Sequence, residues 1–202
     1  MIFNPMEQLA QSIQIDGKGI HVLLWDDQDD LVRSLMVLLA VLNDWSIRFF
    51  LLSSAEQAAK DLRQLFDLQI PTEDGLLSEM DSLRPPRKNL LVLFLQQATS
   101  STIGPYLNGW RSALAEAPGT LLVIRKADFI DFQRNAPDLT SFFGPKIYDS
   151  SLMLSIWNEN TAKKISPILP DKVRGILKEL PGHPPLQPEI EEWIKHHTPL
   201  DE

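Results

Sequence analysis

The 202-residue chain contains no cysteine. That absence removes disulfides, thiolate catalysis and cysteine-based zinc sites together, and it fits a reducing compartment. Long apolar runs are missing too. The longest, Leu35–Leu42, is far short of the roughly 20 residues that a spanning helix needs. Nor is there an excess of positive charge. Lys and Arg number 19 against 27 Asp and Glu, for a formal net charge of −8 and a pI of about 5.0. Nucleic-acid binding calls for a basic footprint, so neither nucleic acid nor an anionic membrane surface is an expected partner. The opening MIFNPMEQLAQS has no basic region followed by an apolar one. No signal peptide is expected there, and the expected location is the cytoplasm. No Gly-x-Ser-x-Gly nucleophile elbow and no internal repeat is present.

What the chain does have is core. At 44% hydrophobic and 23% charged residues, it has the composition of a globule that buries a sizeable interior. Its length sets one domain or one domain with a small appendage. Uninterrupted apolar runs at 21–25, 48–52, 89–95 and 120–124, with a shorter one at 146–148, have the character of strands covered on both faces. Helical spacing falls between them. A short helix is expected at 5–13. The helix at 30–43 is apolar nearly all round, and Asp27 or Asp29 is placed to cap it. Ser53 and Glu56 have capping-box spacing before a helix that buries Ala58 and Leu62. A long surface connection over 67–88 is expected to hold at most one helical turn, at 76–80. Pro105 is placed as the first residue of the next helix, Pro118-Gly119 as its stop, and Asp128 as the cap of a short helix over 129–135. Strands alternating with helices predict a mainly parallel five-stranded α/β sheet with helices on both faces. The layout is P-loop-like or flavodoxin-like over residues 1–150. Residues 151–202 read as a helical C-terminal extension packed on the same domain.

Ligands of open parallel sheets sit at the carboxyl ends of the strands. A phosphate-binding loop there needs glycine and lysine, because backbone N–H groups must wrap the phosphates. After the first strand this chain has Asp26, Asp27, Asp29 and Asp30 and no glycine, and Gly17-Lys18 lies at the opposite end of that strand. After the third strand, where an ATPase places an acidic magnesium ligand, stand Gln96 and Gln97. The carboxylates after the first strand are explained by helix capping and the helix dipole. Three functional readings follow. The leading one is a non-enzymatic protein-interaction or adaptor module with a protein partner and no cofactor, metal or catalytic residue. The second is a pseudo-ATPase that senses a nucleotide through Gln96, Gln97 and Arg125. The third is a magnesium-dependent phosphohydrolase built on Asp26 and Asp27.

The segment Leu107–Gly144 carries the most distinctive pattern. It runs Leu107-Asn108-x-x-Arg111, then the apolar strand Leu121–Ile124, then Ala136-Pro137-Asp138-Leu139-x-Ser141. With HVLLWDD and FFLLSSAEQ before it, the pattern resembles a degenerate P-loop ATPase-like module of bacterial STAND, or NLR-like, signalling proteins. The resemblance covers about residues 20–148. It implies a P-loop-type fold without its Walker A loop and a non-catalytic signalling role in bacterial defence. Thr140 and Phe142-Phe143 stand where related modules often carry other residues. Asn108, Trp110, Arg111, Asp138 and Ser141 are the motif and interaction candidates, and Trp157 and Trp193 are further aromatic anchors. A right-handed crossover brings Arg111 and Asp138 to one edge of the sheet. One reading pairs them there, directly or through Asn108. The favoured reading is that Asp138 caps only its own turn at Thr140–Phe143 and that Arg111 is solvated.

Overall fold

The computed structural model describes residues 5–54, 58, 60, 88–96, 100–116, 119–151 and 170–180. Elements follow in the order α1 (Pro5–Asp16), β1 (Ile20–Trp25), α2 (Gln28–Val41), β2 (Ser46–Leu52), β3 (Asn89–Leu95), α3 (Ser100–Gly109), α4 (Arg111–Glu116), β4 (Thr120–Arg125), α5 (Lys126–Asn135), α6 (Pro137–Thr140), β5 (Ile147–Asp149) and α7 (Asp171–Glu179). All five expected strands are present. They form one parallel sheet in the order β2-β3-β4-β1-β5.

Strand alternation divides the core between two faces. Leu23 and Trp25 of β1, Phe49 of β2, Val92 and Phe94 of β3, and Leu121 and Val123 of β4 join α1, α2 and α7 in one cluster. Val22, Leu52, Leu91, Leu93, Leu122 and Ile124 join α3 to α6 and Ala58 in the other. The helices obey the right-handed crossover rule. Helix α2 carries the chain from β1 across to β2 on the first face. The return steps to β3 and β4, and the step from β4 over β1 to β5, run in the other direction. Their helices therefore lie on the second face. The continuous apolar character of the strands follows from this double cover.

Several local expectations change. Helix α3 begins at Ser100, so Pro105 lies inside it and not at its first position. Its missing N–H costs one intrahelical bond. The expected single helix also divides at Gly109, where Trp110 N–H bonds the Leu107 carbonyl at 2.9 Å in a tightened i−3 step. Asp128 is not a cap: α5 begins at Lys126, its N-cap position Arg125 makes no side-chain cap bond, and Asp128 lies buried in the first turn. Ala58 is helical and buried, with its N–H on the Ser54 carbonyl. The rest of that expected helix, the expected turn at 76–80, and Gln97, Trp157 and Trp193 lie outside the described residues.

Gly104 sets the approach of α3 to α5. A Cβ at this position would lie 2.9 Å from Asn135 Cβ, closer than packed carbons allow. Gly104→Ala is expected to lower stability by about 1 kcal/mol. Overpacking costs about 1–3 kcal/mol, and the gain in helix propensity over glycine offsets about 1 kcal/mol of it. Chemical denaturation of the two proteins measures the difference. Gly109→Ala, with no atom within 4 Å of its Cβ, serves as the control and should show no loss.

Candidate functional site

Strands β1 and β4 are neighbours, yet β1 leads into α2 on one face and β4 leads into α5 on the other. Their carboxyl ends therefore form the topological switch point where open α/β sheets take ligands. The sequence-predicted carboxylates meet here, and each is committed to a different partner. Asp27 Oδ1 accepts from the N–H groups of Asp29 and Asp30, at 2.8 and 3.3 Å, and caps α2. Asp26 instead turns to Lys126, with Nζ to Oδ2 at 3.3 Å.

Lys126 is the centre of the crevice. As the first residue of α5, it is carried to the carboxyl end of β4. Its ammonium contacts Asp149 Oδ2 at 2.7 Å and donates to Ser151 Oγ at 3.1 Å, in addition to Asp26. The hydrogen bond to Asp149, then that to Asp26, holds its pKa above the ordinary lysine value, against some opposition from burial. Burial alone would raise the Asp149 carboxyl. The bonds from Lys126 and from the Ser151 side chain and N–H outweigh it, and the net shift is downward. Ser151 returns two bonds to Asp149 Oδ1, from N–H at 2.9 Å and from Oγ at 2.8 Å. A serine beside a lysine can be a nucleophile beside its base. Here the lysine is locked in the charged form by two carboxylates, so it cannot take the serine's proton. The cluster thus holds one ammonium between two carboxylates at the switch point.

The other side of the crevice is closed by α7. Gln28 Nε2 donates to the Leu177 carbonyl at 2.5 Å, and Gln96 Nε2 donates to the Glu179 carbonyl at 3.0 Å. Gln28 follows β1 and Gln96 follows β3, the two strands that flank β4. The last turn of α7 thus sits at the carboxyl end of β4. Both glutamines satisfy carbonyls that the end of a helix leaves without intrahelical partners. Val173, Ile176, Leu177 and Leu180 are buried beneath the helix, and Lys172 Nζ lies 4.6 Å from the centroid of Phe50 on β2. Burial of four such side chains contributes on the order of 6–12 kcal/mol.

Buried polar groups cluster nearby. Trp25 Nε1, Gln28 Oε1, Asp128 Oδ2 and Ser150 Oγ, all at the carboxyl ends of β1, β4 and β5, have no hydrogen-bond partner among the described residues. Burial, ahead of any charge, raises the pKa of Asp128. It does the same for Asp30, with the Asp27 charge adding to it.

The Leu107–Gly144 motif lies elsewhere, on the second face. Asn108 Oδ1 accepts from Leu139 N–H at 2.9 Å, and its Nδ2 donates to Asp138 Oδ2 at 3.1 Å. Arg111 Nη1 donates to the Asn108 carbonyl at 3.1 Å. Ser141 Oγ donates to the Asp138 carbonyl at 2.6 Å. Arg111 and Asp138 are thus linked through Asn108, and among the described residues they form no direct ion pair. Trp110 is half-buried against Tyr106, with ring centroids 6.3 Å apart.

Lys126, Asp149, Ser151 and Gln28 escape a reading of the sequence. The one usable signal is that Lys126 follows the fourth strand directly. Its partners come from β1 and β5, and their adjacency depends on the strand order. Among the described residues no three His, Asp or Glu side chains are grouped to share a metal ion, and no helix is long and apolar enough to cross a membrane. No family model, curated protein or solved structure matches the chain.

Proposed function

We propose that this protein is a non-catalytic protein-interaction module, built on a degenerate P-loop-type scaffold and acting in bacterial signalling of the STAND or NLR-like kind in the cytoplasm. The observation that carries the reading is the state of the switch-point crevice. Lys126 stands there between Asp26 and Asp149, in the position where such a scaffold otherwise receives phosphates. A triphosphate entering the crevice meets two carboxylates and has to break the Lys126 contacts to gain a cation. The loop after β1 adds no backbone cradle, because Asp27 draws the first N–H groups of α2 onto its own carboxylate. Gln96, in the place of a magnesium ligand, donates to the end of α7. With its ligand site filled by the chain itself, such a scaffold has its surfaces left for recognition.

The expected result is no hydrolysis of ATP or GTP with magnesium above a protein-free blank, followed by phosphate release. Turnover that Asp26→Ala abolishes would overturn the reading in favour of metal-dependent phosphoryl chemistry at Asp26 and Asp27.

A further inference from the structure

The contact between α7 and the sheet has features of recognition between separate pieces. The protein grips the helix by its backbone, with two side-chain amides on the carbonyls of its last turn. Those amides are sequence-tolerant, since any helix presents free carbonyls at its end. Specificity comes from apolar side chains at 173, 176, 177 and 180. Their i, i+3, i+4, i+7 spacing is the pattern of a helix laid in a groove. A cation one residue ahead of the first anchor, Lys172, completes it over Phe50.

The helix itself is built weakly. At nine residues it is below the roughly 12–15 residues at which isolated helices become marginal. Pro170 in the N-cap position offers no side-chain cap. Gly175 lies in its middle with no atom within 4 Å of a Cβ there, so packing does not require glycine and the helix carries its propensity cost for no return.

We infer that the groove on the α7 face of the sheet, marked at the carboxyl ends of the strands by Gln28 and Gln96, is a docking site for an amphipathic helix of a partner protein, and that α7 is its exchangeable occupant within the chain. The inference rests on the interaction-module reading and names the chemistry of the partner. That partner is a short helix with apolar anchors at i, i+3, i+4 and i+7, a cation ahead of the first anchor, and a free carboxyl-terminal turn.

Two measurements test this on the full chain. The first is native-state hydrogen exchange on the unaltered protein. Amides of residues 176–180 should exchange by local opening at least about tenfold faster than those of β3. Equal protection in both would make α7 a fixed part of the core and overturn the inference. The second uses a labelled peptide of residues 170–181 as probe, with Val173→Asp/Leu177→Asp protein to free the groove. The peptide should bind this variant saturably and at least about tenfold tighter than it binds the unaltered protein. Gln28→Ala/Gln96→Ala in the same background should weaken binding about tenfold. A peptide carrying Gly175→Ala should bind about fivefold tighter, the equivalent of about 1 kcal/mol of helix propensity. A variant that melts cooperatively but binds the peptide no better than the unaltered chain overturns the inference. So does a variant that no longer melts cooperatively. Nucleotide turnover would defeat the functional reading and leave these exchange and binding results standing, so the two failures are distinguishable.

Discussion

Stability is expected to fall by about 3 kcal/mol between about pH 7 and about pH 4, and His21→Leu is expected to remove most of that loss. His21 is fully buried in β1, and among the described residues neither ring nitrogen has a hydrogen-bond partner. Burial, then repulsion from Lys146, lowers its pKa from 6.5 to about 4, with Asp16 opposing the shift. The sign follows from linkage. Between about pH 4 and about pH 6.5 the unfolded chain carries a proton on this imidazole that the folded chain refuses. The stabilisation is therefore complete above about pH 6.5. It is lost as the pH falls through the window, by about 1.4 kcal/mol for each pH unit between the unfolded and folded pKa values. Asp16 does not share that window. The Lys146 hydrogen bond, foremost, lowers its pKa, so its contribution is lost only as the pH falls below the ordinary carboxylate range. Leucine at position 21 also removes two buried unpaired atoms, and such a replacement by an apolar group of similar shape is neutral or stabilising. Urea denaturation across the pH range provides the check. An unchanged slope in His21→Leu, together with a loss of stability at neutral pH, would mean that the imidazole has partners after all.

Asn108→Ala is expected to cost about 2 kcal/mol, more than any other change among the motif's polar residues Asn108, Arg111, Asp138 and Ser141. Helix α6 starts at Pro137, and its N-cap Ala136 has no side-chain oxygen to offer. Asn108 supplies one from α3, thirty-one residues away in sequence, and accepts the part-buried Leu139 N–H. Its removal leaves that donor unpaired, which costs about 1–3 kcal/mol, in the range of a lost cap. Arg111→Ala should cost under about 1 kcal/mol, since its guanidinium reaches only the neighbouring Asn108 carbonyl. A double-mutant cycle on Arg111 and Asp138 should show a small coupling of about 0.5 kcal/mol, because the two share Asn108 as a partner. A coupling well above that would mean a direct pair.

These cases mark what is legible in the sequence. The strands are legible because a doubly covered parallel strand is apolar without interruption: NLLVLFL of β3 and TLLVI of β4 admit no other element of that length. Asp27 as a cap is legible because its oxygen acts on N–H groups only two and three residues on. Pro105 misleads because proline suits a first helical turn, and nothing local reveals that tertiary packing extends α3 back to Ser100. Asp128 misleads for a similar reason: its burial in the first turn of α5 is a tertiary outcome. The site is the least legible part. Lys126, Asp26 and Asp149 lie on three different strand ends, and only the strand order brings them together. A link between Arg111 and Asp138 through Asn108 is only the minor reading of the sequence, because a surface arginine seldom contributes much. The atoms that form the clamp, an amide oxygen on a distant N–H, follow from the packing of α3 against α6.

The central claim is that the chain's own residues close the switch-point crevice against nucleotides. Titration of uniformly ¹⁵N-labelled protein with magnesium ATP, followed by amide chemical shifts, tests it most directly. No saturable shift is expected at Asp26, Gln28, Lys126 or Ser151 up to millimolar nucleotide. Saturable shifts centred on those four residues would contradict the closure.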